Sequence, residues 1–106
     1  MPPVVRFLPG ARREFDAAHD WYGERSMLAA AGFAGEVERV VRAIAESPSL
    51  GRVVRVRRDG SDVRVRPCRG YPYLVAWCTR GDVHLILAVA HTRRRPGYWM
   101  VRLADG

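Results

Sequence analysis

The residues best suited to chemistry stand together near the end of the chain, from Ala88 to Trp99, reading AVAHTRRRPGYW. An apolar strand there runs straight into His91, three arginines, a Pro96-Gly97 turn and two aromatics. A buried run such as residues 83–90 fixes the backbone, so the polar groups that follow it emerge at a defined place on a rigid edge. A guanidinium group binds phosphate or carboxylate bidentately but stays protonated, which leaves proton exchange in this stretch to His91 and Tyr98.

The rest of the chain must position that stretch. A length of 106 residues supports one domain with its own core and is too short for two, so residues 1–106 are read as a single domain. Apolar residues at 48% and charged residues at 27% are ordinary for a soluble globular protein. The net charge of +7 is unevenly spread: residues 1–51 hold six Arg and seven acids, residues 52–106 twelve Arg and four acids. The basic second half favours a polyanion or an acidic protein partner. All eighteen basic residues are Arg, with no Lys.

Cys68 and Cys78 form no CxxC pair, and Cys78, within an apolar strand, reads as a small buried hydrophobe. Reduced thiols, the lack of a signal peptide and the lack of any apolar run near ~20 residues lead us to expect a cytoplasmic protein without a membrane span. No Gly-rich phosphate loop, nucleophile elbow or metal-ligand cluster stands out, so neither cofactor nor metal is expected.

Residues 3–8 read as a first strand, followed by a Pro9-Gly10 break. A helix over residues 11–25 carries Ala11, Phe15, Ala18 and Tyr22 as one apolar stripe. Glu14 and Asp20 are read as solvated or paired with Arg13 or Arg25, and His19 as a packing residue. Gly23 and Gly32 bracket a turn region, with residues 27–31 able to prolong the helix. A second helix covers residues 33–46, presents Phe33, Val37, Val40, Val41 and Ile44, and stops at Ser47-Pro48.

After Gly51 the period becomes two. Val54 and Val56 alternate with Arg55 and Arg57, and Val63 and Val65 with Arg64 and Arg66, predicting a hairpin with a valine face and an arginine face. Residues 73–78 and 83–90 form the next strands, the latter central because it is apolar on both faces apart from His84. Residues 98–103 are a last strand or a tail along the sheet. The expected fold is α+β: an N-terminal strand and a two-helix hairpin packed on a mostly antiparallel sheet of four to five strands.

Five features in order carry a resemblance. They are Phe7-Leu-Pro-Gly-Ala11, the Trp21-Tyr22 helix, Gly32-Phe33 opening a helix that ends at Ser47-Pro48, Arg69-Gly-Tyr-Pro-Tyr73, and Ala88-Val-Ala-His91 with Arg94, Pro96, Tyr98 and Trp99. In these the chain resembles the toxins of the RelE/ParE superfamily, from bacterial type II toxin–antitoxin pairs, over nearly its whole length. RelE-like toxins are ribosome-dependent ribonucleases, whereas ParE-like toxins poison DNA gyrase. The resemblance implies, in both branches, a cognate antitoxin, small, acidic and partly disordered when free.

The two branches ask different things of the residues. RNA cleavage by a 2′-hydroxyl needs a base, an acid and fixed positive charge on the phosphate. On that reading Arg94, or Arg93 and Arg95 beside it, holds the phosphate, His91 or Tyr98 exchanges protons, and Arg55, Arg57, Arg64 and Arg66 bind RNA backbone or ribosomal RNA. The RelE-like site resembles a lysine and arginine cluster with a C-terminal tyrosine, and this chain has no lysine. The plainer reading has His91 ending its strand by bonding a backbone group, and Tyr98 and Trp99 pinning the tail to the sheet. A gyrase poison needs only a binding surface, built from the arginines and the exposed part of Tyr98 and Trp99. The Pro96-Gly97-Tyr98-Trp99 ending and the long helical hairpin incline the expectation to the ParE-like branch. A non-enzymatic nucleic-acid-binding module using the same arginines is the further alternative.

Overall fold

The computed structural model describes residues 4–103; Pro3, placed in the first strand by the sequence, lies outside them. The elements are β1 (Val4–Phe7), α1 (Pro9–Gly23), α2 (Met27–Glu46), β2 (Arg52–Val56), β3 (Asp62–Pro67), β4 (Tyr73–Arg80) and β5 (Val83–His91). A C-terminal 3-10 helix, Tyr98–Leu103, follows. The five strands form one sheet in the order β1-β5-β4-β3-β2. β1 runs parallel to β5 and every other neighbour is antiparallel. The α+β arrangement expected from the sequence is therefore present, with β5 flanked by strands on both sides.

Several local expectations are corrected. Pro9 and Gly10 do not break the chain before α1 but begin it, since proline's missing N–H costs nothing in a first helical turn. The helical hairpin turns over residues 24–26 alone, because Ser26 caps α2 by accepting the Ala29 N–H at 3.2 Å. Residues 27–31 thus open α2, and Gly32 sits inside it rather than in a turn. Of the two readings of residues 98–103, the strand is replaced by a 3-10 helix that lies as a tail along the sheet and buries Trp99 and Leu103 against it.

The hairpin lacks a single arginine face. Its register slips between Val53 and Arg55, so Arg52 pairs with Val65 and Arg55 with Val63, whereas Val53 faces Arg64. Directly paired residues share a face, so the bulge sends Arg52 and Arg55 to one side and Arg64 to the other. Arg66, opposite Val75, joins Arg64 on the helix side.

Both faces of the sheet are covered. On one, Phe33, Val37, Val40 and Ile44 of α2 with Ala11 and Ala18 of α1 pack against Val75, Trp77, Ile86 and Val89. Burying each large apolar side chain there contributes about 1.5–3 kcal/mol. On the other, Trp99 and Leu103 close over Val63, Val65, Ala76, Cys78, Leu87 and Ala88. Cys68 and Cys78 are buried free thiols, and burial pushes Cys68 up to about 11. Among the described residues no helix is long and apolar enough to cross a membrane.

Candidate functional site

β1 ends at Phe7, opposite Ile86, and Leu8 N–H makes its last bond to β5 at Ile86 O, 2.9 Å away. Beyond that point β5 needs other partners for its backbone, and two side chains supply them. Glu14 of α1 accepts the Val89 N–H at 3.1 Å, and Arg102 of the 3-10 helix donates to Leu87 O at 2.9 Å. Leaving such groups unpaired would cost about 1–3 kcal/mol each.

Glu14 is the centre of this arrangement. Its Oε1 also accepts from Arg102 Nη1 at 2.8 Å, and its Oε2 accepts from Arg102 Nη2 at 3.1 Å and from the Tyr98 hydroxyl. Arg94 Nη1 lies 3.5 Å from Oε2, with its guanidinium 3.8 Å above the Tyr98 ring centre. One carboxylate, 13% exposed, therefore ties α1 to β5, to the loop after it and to the final helix. Gly97 makes this possible: its φ of +77° turns the chain back so that Tyr98 meets Glu14.

The same contacts fix the chemistry of Tyr98. Burial, then the hydrogen bond to Glu14 and its negative charge, push the phenol up to about 12. At neutral pH the hydroxyl is held as a donor. His91 is equally committed, since its Nδ1 accepts the Arg93 N–H at 3.0 Å and its ring lies edge-on to Tyr73 at 5.0 Å. That bond leaves the neutral ring's proton on Nε2.

His91, Arg94 and Tyr98, read together from the sequence, do come together. They form a ridge between two clefts. A cleft of about 470 Å³ on the α1 side is lined by Trp21, Tyr22 and Tyr73, and one of about 460 Å³ on the opposite side by Arg52, Arg95 and Met100. The arginines of the hairpin do not all join them. Arg55 and Arg57 line a third cleft of about 390 Å³ beside Met100. Arg64 instead donates to Ser49 O, Gly51 O and Asp62, fastening the loop before β2. The Arg93 side chain is exposed, whereas Trp99, expected to offer surface, is only 4% exposed because it fills the core under the 3-10 helix.

The sequence reading, Glu14 solvated or paired with Arg13 or Arg25, is corrected: its partners are the distant Arg94 and Arg102. Its spacing carries the missed signal: Glu14 is three residues after Ala11 and four before Ala18, both buried, which places its carboxylate on the buried stripe.

The family model described as the ParE toxin of the type II toxin–antitoxin system parDE matches residues 5–96. The chain belongs to the ParE toxin family. Among solved structures it is similar to the chromosomal ParDE toxin–antitoxin system from P. aeruginosa, with a TM-score of 0.64 at 15% identity. That likeness of fold covers 87% of this chain and 98% of the other. A comparison with curated protein sequences gave no match. Within this ParE-family chain the family match includes Glu14, His91 and Arg94, and it ends before Tyr98 and Arg102, the two residues of the final helix that Glu14 holds.

Proposed function

We propose that this ParE-family toxin arrests growth by poisoning DNA gyrase in the cytoplasm and is silenced by a cognate antitoxin. The observation that carries the reading is the state of Tyr98: donated to Glu14 and raised to about 12, its phenol is poorly matched to proton transfer at neutral pH. Arg94 is turned toward the same carboxylate and ring. Trapping an enzyme on cleaved DNA asks for a surface and not for an acid and a base. The antitoxin is a small acidic protein, partly disordered when free, drawn to the arginine-rich second half.

The competing reading is a ribosome-dependent mRNA endonuclease, which His91 keeps open as the imidazole beside Arg94 and Tyr98. Purified gyrase, plasmid and ATP with this protein, alone and with its antitoxin, separate the two. Inhibited supercoiling with trapped cleaved DNA, relieved by antitoxin, is the expected result. Growth arrest with gyrase untouched and mRNA cut in translating extracts would replace it with the ribonuclease. Arrest of neither would leave only nucleic-acid binding.

A further inference from the structure

We infer that the sheet face opposite the helices carries a trough that binds the phosphate backbone of duplex DNA, lined by Arg52, Arg55, Arg57, Arg58, Arg94 and Arg95. The inference rests on the gyrase reading only for the source of that DNA. Two clefts, of about 460 and 390 Å³, adjoin at Met100, which lines both. Six guanidinium groups line the two clefts, with two carboxylates beside them: Asp59 near Arg57, and Glu14 behind Arg94. Concentrated in a concave surface, such a set raises the local density of anions and favours phosphates.

Three details favour a nucleic-acid backbone over an acidic peptide. The floor is already filled, because Val65, Ala90, Trp99 and Leu103 are buried, so the strip that an amphipathic peptide would need is occupied by the 3-10 helix. Arg52, Arg55, Arg58, Arg94 and Arg95 are exposed, which leaves their guanidinium groups open to an anionic backbone. Arg57 Nη1 is buried without a hydrogen-bond partner, 4.0 Å from the Asp59 carboxylate and too far to bond it. The Arg57 side chain is 22% exposed, and a rotation of its guanidinium presents that donor to a phosphate oxygen in the trough. The bulge in β2 is what gathers this set, by moving Arg52 and Arg55 away from Arg64 and Arg66.

The test is fluorescence anisotropy of the full chain with a labelled mixed-sequence duplex of about 20 base pairs, without gyrase, between about 50 and 200 mM salt. Six contacts give a slope of log affinity against log salt of about −5. Replacing Arg55, Arg57 and Arg58 together by Ala is expected to weaken binding at least about tenfold and bring the slope to about −2 to −3. A second variant, Arg52→Ala with Arg95→Ala, is expected to lower it by about two units. The helix-face pair Arg13→Ala and Arg42→Ala is expected to bind like the parent, and circular dichroism checks that each variant folds. No duplex binding at the lowest salt, or equal loss in the helix-face pair, overturns the inference. Binding of a polyglutamate peptide in place of the duplex overturns it too and gives the trough to a protein partner. Gyrase trapping that survives the triple variant would leave the gyrase reading standing and the trough unused, whereas duplex binding without trapping would remove the gyrase reading alone.

Discussion

Glu14 accepts four hydrogen bonds, two on each oxygen, which fills the acceptor capacity of a carboxylate. Breaking a partly buried charged network by removing one member is costly because the partner charge is left unpaired. Glu14→Ala is expected to lower stability by about 3 kcal/mol, read as a shift in urea midpoint at neutral pH. Tyr98→Phe is a milder change, removing one donor while Arg102 still engages both oxygens, and should cost about 1 kcal/mol. On the gyrase reading it leaves trapping intact. Loss of all activity from a folded Tyr98→Phe protein would return the hydroxyl to a chemical role. The Glu14 burial was legible from its place between Ala11 and Ala18, but its partners lie 75 to 88 residues away and no local pattern announces them.

At the scale of elements, the apolar periodicities located both helices and the strands, because each buries one stripe or face whatever the detail of its ends. The ends depended on single contacts. Ser26 starts α2 where Met27 and Leu28 are still fully in solvent, so hydrophobic pattern alone dates the helix too late. The Val53-Val54 doublet breaks strict alternation in β2 and marks the bulge that redistributes the arginines. Two glycines inside α2 make an internal comparison. Around Gly35 an added Cβ meets no atom within 4 Å, so Gly35→Ala is expected to raise stability by about 0.5–1 kcal/mol through helix propensity. At Gly32 the Cβ would overlap the Tyr71 hydroxyl, which donates to Ala29 O at 3.3 Å. Gly32→Ala therefore gains the same propensity and loses that contact, and its melting temperature should stay level or fall. A gain equal to that at Gly35 would mean Tyr71 moves aside freely.

For the molecule as a whole, acid acts on two fronts. Eighteen arginines carry positive charge, and protonating the eleven acids removes what balances them, so self-repulsion grows as pH falls. Glu36 adds a specific loss. It accepts from Arg39 Nε at 2.8 Å and Nη2 at 2.7 Å, and from the Arg69 N–H, joining α2 to the segment after β3. The Arg39 hydrogen bonds, then the Arg69 N–H, outweigh burial and hold Glu36 at about 2, below its ordinary 4.5. A carboxylate with a lower value folded than unfolded contributes stability above the unfolded value and loses it as pH falls through the folded one. That contribution is therefore complete above about 4.5 and fades toward about 2. Urea midpoints should be flat from neutral pH down to about 4.5 and fall steeply from there toward about 2. Added salt screens the exposed like-charge repulsion and recovers part of the fall. Glu36→Gln should start lower at neutral pH and show a shallower acid limb, and an acid limb as steep as the parent's would assign the whole effect to net charge.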